Sequence, residues 1–547
     1  MPDRKGQFTR YQYDPLDRLE VVTHADASTT RYTYDASDRL TQIVDSVGGT
    51  ITRGYDLLDR LTAETTPEGS LNYTYDADGR RATMTVGGQT GVTYGYDDAH
   101  RLTAITQGAS VVQLAYDDAD RRTTLTLPNG VVTTYGYDNA NQLTSLTYTL
   151  GATTLGTLTY AYDAAGNRTT VGGTWARTGL PQTLASATYD AANRIATWAG
   201  QAVAYDANGN LLSDGLTSYA WSARNQLAGL SGAASASFAY DATGQRRAKT
   251  TSGSTSYLYD GANAAQELVG GSPTATVLAG GVDEVFQRTE GAGTRAVLTD
   301  ALGSTVALVD GSGAVQTQYT YEPFGATAAS GAASTNPAQF TGRENDGTGL
   351  YYYRARYYDP RFQRFISEDP IGFGGGDVNL HAYVGNNPTD YRDPSGHFAP
   401  LLVLPLAGCL GGAVGAALAN EMTGRKTTWN DVAGGCAAGM VLGLAGWAVG
   451  PAIAPGAFAG AGAASSGVSR AAAAIQDWLG PGATKVESAT SDLVLRSADG
   501  TRQIRFDITN PHGLDPHVNL ETWQPRDLFP GDGRFIPVDN IHIFPKR

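Results

Sequence analysis

A Tyr-Asp pair returns along this chain at a nearly fixed interval, and that interval constrains the fold more than any other feature. The tyrosines of the pairs are Tyr13, Tyr34, Tyr55, Tyr75, Tyr96, Tyr116, Tyr137, Tyr162, Tyr189, Tyr205, Tyr240 and Tyr259, and the first six steps are 21, 21, 20, 21, 20 and 21 residues. Trp221, in YAWSARNQL, fills the gap between Tyr205 and Tyr240. The units YQYDPLDRL, YTYDASDRL and RGYDLLDRL are near copies of one another. Tyr-x-Tyr alternation reads as a strand. The Asp-x-x-(Asp/Asn/Gly)-(Arg/Asn/Gln) stretch reads as a turn, because Asp and Asn bond their own backbone and Gly or Asn accepts positive φ. Arg-Leu then opens the return strand, so each unit predicts a β-hairpin. A single hairpin cannot bury its own face, so the hairpins must stack into a long, coiled antiparallel sheet. Regular Arg and Asp beside the turns are expected to form ladders between units. A residue repeated a dozen times is a structural part, not a unique catalyst.

Composition narrows the alternatives. The chain has 547 residues, enough for several domains and a large core. Charged residues make up only 17%, against 41% hydrophobic, which excludes a disordered polyelectrolyte. The 68 glycines follow no three-residue period, which excludes collagen and points to many turns. Net charge is −14, unlike a surface devoted wholly to nucleic acid, though a small nucleic-acid-directed domain is compatible with it. Cys409 and Cys436 cannot build a disulfide scaffold or a Cys-rich zinc site. Residues Met1 to Gly6 carry no apolar signal region, so a non-Sec export route or a cell-surface location is expected.

The units resemble the YD repeats of Rhs and Tc-toxin C-type proteins over roughly residues 7–397. That resemblance implies a sheet that spirals into a hollow shell, complete or incomplete, around the C-terminal segment of its own chain. Residues 319–397 leave the simple repeat and resemble the Rhs-associated core. The matching elements are Arg354-x-Arg356-Tyr357-Tyr358-Asp359-Pro360, Arg364-Phe365-Ile366-Ser367-x-Asp369-Pro370-Ile371-Gly372, Asn379-Leu380-x-x-Tyr383-Val384-x-Asn386-Asn387-Pro388 and Asp393-Pro394-x-Gly396. In the family this core plugs the shell and, in many members, cuts the chain behind it with an aspartic-protease-like pair. The resemblance assigns that pair to Asp369 and Asp393, with Arg364 as the orienting cation and His397–Phe398 as the bond cut. The chemistry needs two carboxylates sharing a proton, one to activate water and one to protonate the leaving group. The family pattern has Leu at the fifth position of each Asp-Pro-x-Gly motif, where this chain has Phe373 and His397. The plain alternative is that each motif is only a turn.

Composition shifts after Phe398. Residues 398–420 and 432–469 carry no charge and are long enough to span a bilayer, yet they are rich in Gly and Ala and broken by Pro405, Pro451 and Pro455. Three readings stand for this apolar, partly helical stretch: a membrane-active hairpin making transient membrane contact, chain held inside the shell, or a membrane anchor. From Lys485 the chain reads as a small globular unit. DLVLRSADGTRQIRFDITN is a hairpin turning at Ala498-Asp499-Gly500, and HVNLETW and NIHIF are further strands.

The tail concentrates chemistry. His512, His517 and His542 are three of the chain's seven histidines. On a strand, His517, Asn519 and Glu521 alternate onto one face, as do Arg505 and Asp507 on the strand before. Metal-independent RNA cleavage needs a base for the 2′-OH, an acid for the 5′ oxygen and a cation for the phosphorane. His517 and His542 are the expected base and acid, with Glu521 or His512 as substitutes, and Arg505 and Lys546 as phosphate holders. A metal nuclease liganded by His512, His517 and Glu521 is the alternative chemistry. The tail from residue 485 has no Cys, which excludes Cys-dependent deaminase or protease chemistry.

The sequence therefore predicts a mainly β chain with YD repeats over 1–318, a core plug over 319–397, an apolar helical segment over 398–484 and a small α+β toxin domain over 485–547. Its expected role is that of a polymorphic toxin in interbacterial competition, exported by a secretion machinery and paired with a cognate immunity protein. The tail would act on RNA in the target-cell cytoplasm without a cofactor. A non-enzymatic cell-surface or carbohydrate-binding repeat protein is the contrasting expectation.

Overall fold

A hairpin is set by its turn, and the repeated turn here is built from one aspartate. Asp35 shows the pattern: its Oδ1 accepts the backbone N–H groups of Ser37 and Arg39 at 2.9 and 3.0 Å, and its Oδ2 accepts Arg39 Nε at 2.7 Å. Asp38, the residue before Arg39, takes a left-handed φ of 62°, a conformation Asp, Asn and Gly tolerate. Asp17, Asp59, Gly79, His100, Asp120, Asn141, Gly166 and Asn193 hold the same place with φ between 58° and 86°. Arg39 then reaches the next unit, donating to the Asp56 carbonyl at 2.8 Å and to Asp59 Oδ1 at 3.0 Å. It also lies 5.3 Å from the centre of the Tyr55 ring, whose hydroxyl donates to the Leu40 carbonyl at 2.9 Å. The ladder expected from the repeat is thus present from Arg18 to Arg121, where each of these turn arginines also lies over the next unit's tyrosine, and it lapses where Gln142 replaces the arginine. The ladder register shifts at the Tyr of each Tyr-Asp pair, as at Gly54/Tyr55, so every unit carries a β-bulge that bends the sheet.

The computed structural model describes residues 2–397, residue 182 aside, and beyond them only the strands Leu401–Leu402, Thr484–Val486, Leu493–Arg496, Arg502–Asp507, His517–Pro525 and Phe535–Ile543. The chain divides into two units, Met1–Arg425 and Lys426–Arg547. In the first, each strand pairs antiparallel with its neighbour in sequence. A 16-stranded sheet runs from Arg10–Tyr13 to Arg168–Gly172, and a 14-stranded sheet from Ala204–Tyr205 to Thr327–Gly331. A 3-stranded patch, beginning at Ala187–Tyr189, lies between them. The ribbon's pairing therefore lapses twice, between Gly172 and Ala187 and between Ala202 and Ala204. The segment 173–186 has Gly173, Gly179 and Pro181 and no alternation, and Pro has no N–H for a ladder. Trp175 pins this crossing by stacking on Tyr148, ring centres 4.9 Å apart.

The second sheet returns onto the first. Arg81 meets Asp260 at 2.6 Å, Gln287 meets Ser110 at 3.0 Å, and Asn129 donates to the Asp310 carbonyl at 2.9 Å, separations of 179, 177 and 181 residues. Further on, Tyr148 bonds the Thr299 carbonyl and Tyr160 the Ala301 amide, at separations of 151 and 141 residues. Arg224 bonds Asp45, and Arg247 bonds Glu68, both at 2.8 Å. The ribbon is thus a spiral whose second coil seats its turns against the first. One apolar core runs through both coils, from Leu71, Ile105 and Val131 to Leu258, Phe286 and Val309.

After Thr327–Gly331 the chain folds a small four-stranded sheet, Glu344–Asn345, Tyr351–Tyr353, Arg356–Asp359 and Arg364–Phe365. The expected helical character of 398–484 falls outside the described residues, which in that stretch are Leu401–Leu402 and Thr484, both in strands. The second unit holds a five-stranded antiparallel sheet, including the expected hairpin Leu493–Arg496 and Arg502–Asp507. Any helix of the tail lies outside the described residues.

Candidate active site

Two adjoining strands carry the site. Tyr351–Tyr353 pairs with Arg356–Asp359 through Tyr351↔Tyr358, Tyr352↔Tyr357 and Tyr353↔Arg356, closing on Arg354 and Ala355. Arg354 sits at φ 60°, a costly conformation for a residue other than glycine. Its guanidinium is held in place from both ends: by Asp283 and the Ala262 carbonyl of the second coil, and by the Pro394 carbonyl. Asp283 also bonds Arg343. Burial would raise the Asp283 carboxyl, but Arg343 and Arg354 together hold it below its ordinary value. This bridge fastens the Asp393-Pro394-Ser395-Gly396 turn to the coil.

Arg356 points from the same hairpin into the site. Its Nη2 lies 2.9 Å from Asp369 Oδ2 and 3.6 Å from Asp393 Oδ2. Its Nε donates to the Gly396 carbonyl, its Nη1 to the Leu380 carbonyl at 3.0 Å, and its plane covers the Phe365 ring at 3.6 Å. Asp369 and Asp393 are 6% and 1% exposed. Two carboxylates and one guanidinium in so dry a place leave one negative charge too many, and a proton removes it. The site answers at Asp393: burial pushes its carboxyl up to about 6, against the pull of Arg356, Ser395, His397 and the Gly396 N–H. Burial also draws the Arg356 guanidinium below its ordinary value, against both carboxylates.

Both Asp-Pro-x-Gly motifs are also turns. Asp369 Oδ1 accepts the Ile371 N–H at 3.0 Å, and Asp393 Oδ1 accepts those of Ser395 and Gly396 at 3.2 and 2.9 Å. The second turn presents the chain's next link. Ser395 Oγ lies 3.0 Å from Asp393 Oδ1 and 3.0 Å from the carbonyl oxygen of His397. The His397 ring reaches back, Nδ1 3.2 Å from Asp369 Oδ1. A carbonyl, two buried carboxylates of which one readily holds a proton, and a cation are the parts of acid–base amide hydrolysis.

The cation expected at this site is corrected. Arg364 does not face the pair; its Nη1 donates to the Asn193 carbonyl at 2.7 Å and it lies over the Tyr189 ring at 5.1 Å. Arg356 takes the place, and Ser395 and the His397 ring join the site. In the tail, strand register puts two of the expected residues, Arg505 and His542, in one row, each paired with Asn519. His517 pairs with Asp507, and Glu521 with Gln503 and Asn540. His512, Lys546 and Phe398 lie outside the described residues.

Residues 131–374 match the Teneurin YD-shell family, and residues 22–51, 34–71 and 55–90 match the RHS Repeat family. The tRNA3(Ser)-specific nuclease WapA of Bacillus spizizenii is 34% identical over 259 residues, 45% of this chain and 11% of that protein. Toxin protein Tse5 of Pseudomonas aeruginosa is 40% identical over 107 residues, 19% of this chain and 8% of that protein. The chain thus spans about a tenth of the length of the curated relatives it matches. Among solved structures, the Photorhabdus luminescens Tc holotoxin pore superposes with a TM-score of 0.55 at 17% identity, over 73% of this chain and 26% of that one. The TcdB2-TccC3-Cdc42 complex gives 0.53 at 18% identity, over 71% and 27%. These share the fold.

Proposed function

This chain belongs to the Rhs/YD-repeat family, and from that premise we propose that it is the container and cargo of a bacterial polymorphic toxin that cuts itself between His397 and Phe398. The observation that carries the reading is the buried Asp369–Arg356–Asp393 cluster, placed beside the His397 carbonyl at the end of the plug. Asp369 takes a proton from water as the water attacks the His397 carbonyl carbon. Asp393 enters protonated and supports the developing oxyanion, and Arg356 keeps the pair from repelling. The proton taken up by Asp369 passes to the Phe398 nitrogen as the C–N bond breaks. Arg364 fastens the plug to the Asn193 turn.

Residues 398–547 are then the cargo, with 485–547 as the effector. WapA, the relative named above, is a tRNA nuclease, which supports RNA as the class of substrate. The row Arg505–Asn519–His542 supports a cation and an imidazole working together. In this reading His517 and His542 are base and acid, Glu521 and His512 their substitutes, and Arg505 and Lys546 bind phosphate. Export by a secretion machinery, entry aided by the apolar 398–469 stretch and a neutralising immunity protein complete the proposal.

Induction of the full chain, and of residues 398–547, in bacterial cells lacking any immunity protein tests it. Growth arrest with fragmented RNA, lost in His517→Ala and His542→Ala, is the expected outcome. Normal growth with intact RNA from both forms would remove the RNase reading.

A further inference from the structure

We infer that Ser395 is a working part of the self-cut: its one hydroxyl proton is shared between Asp393 and the carbonyl of the bond to be broken, so that the protonation of Asp393 reaches that carbonyl through it. The inference rests on the reading of Asp369 and Asp393 as a self-cleaving pair.

A serine hydroxyl donates one hydrogen bond. Ser395 Oγ has two acceptors at the same distance, Asp393 Oδ1 and the His397 carbonyl oxygen, each 3.0 Å away. Oγ itself accepts the His397 N–H at 3.1 Å, so the loop fixes the oxygen while the proton keeps a choice. The state of Asp393 makes that choice. As a carboxylate, Asp393 attracts the proton in a charge-assisted bond. Once protonated, its Oδ1 is a weaker acceptor, already bonded to the Ser395 and Gly396 N–H groups, and the hydroxyl turns to the carbonyl. Asp393 Oδ2 is buried 3.6 Å from Arg356 Nη2 with no hydrogen-bond partner among the described residues, and because Oδ1 already accepts two N–H groups we assign the proton to Oδ2.

The step balances. Water adds to the His397 carbonyl carbon and gives a proton to Asp369. Ser395 stabilises the oxyanion by its hydrogen bond and keeps its own proton. Collapse breaks the C–N bond, Asp369 passes the proton to the leaving nitrogen, and Ser395 and Asp393 end as they began. The groups facing Asp393 are Arg356 from the hairpin, Tyr383 from the turn beside it, His397 from its own loop and Asp369 across Arg356. The carboxyl of Asp393 titrates at about 6, so the active arrangement is populated in mildly acidic solution and declines as pH rises through that value.

The test follows newly synthesised full chain by pulse-labelling, scoring the fraction cut against time from pH 5 to 8. Wild type is expected to cut faster below pH 6. Ser395→Ala is expected to slow the cut about 10²-fold, the usual effect of losing one oxyanion donor, and to flatten the pH profile. Ser395→Thr keeps the hydroxyl and is expected to restore both rate and profile. Wild-type rate and profile in Ser395→Ala, with Asp369→Asn inactive, would overturn the inference and leave the paired-carboxylate reading standing. The same holds if Ser395→Thr cuts no faster than Ser395→Ala. A wild-type chain that stays uncut at every pH would overturn both.

Discussion

At the scale of single residues, the account turns on one shared charge. Asp393 is raised from 3.8 to about 6 by burial, so the folded chain holds a proton there that the unfolded chain releases. The sign follows: this residue weakens the fold as pH climbs from about 4 to about 6, and no further above that. The loss is on the order of 3 kcal/mol across the window. Denaturant midpoints measured from pH 4 to 7 are expected to carry this slope, and Asp393→Asn to remove it. The two aspartates were named in the sequence through the resemblance of their Asp-Pro-x-Gly motifs to the Rhs-associated core. The right cation was not. Arg356–Asp359 is buried along its whole length, so strand alternation could not tell which arginine faces the carboxylates. Ser395 sits at the variable place of its motif, and only its two 3.0 Å contacts mark it.

At the scale of elements, turns decide. Gly396 has φ 73°, and a Cβ there would stand 2.0 Å from the Tyr353 carbonyl oxygen and 3.1 Å from the Arg356 amide nitrogen. Gly347 has nearly the same backbone, φ 71°, with nothing within 4 Å of the added carbon. The pair separates strain from collision. Gly347→Ala is expected to cost about 1 kcal/mol from φ alone. Gly396→Ala is expected to cost roughly 3 kcal/mol or more and to stop the cut, since the turn cannot stay seated on the hairpin. Thermal unfolding and a gel of each variant check this. The hairpin unit and its ladder were readable because each turn carries its own chemistry in consecutive residues. The break at 173–186 was less so, because a lapse in the repeat does not say where the ribbon goes next.

At the scale of the whole molecule, the stacking of one coil on the next depends on contacts between residues some 180 apart, which no local pattern announces. Arg246 shows how the plug is tied to the spiral. It is fully buried on the second coil, bonded to Glu344 and Asp346, with its guanidinium 4.2 Å from the Tyr352 ring. Arg246→Met would take the cation from Glu344 and leave Asp346 with Lys249 alone, 3.0 Å away, and a loss of roughly 3 kcal/mol is expected from chemical unfolding. The central claim is that this plug severs the chain behind it. Intact-mass spectrometry of the purified full-length protein tests it most directly. The account predicts two species, one ending at His397 and one beginning at Phe398, replaced by a single uncut chain in Asp369→Asn and in Asp393→Asn. A wild-type protein of one undivided mass, or a break elsewhere that persists in both variants, would contradict it.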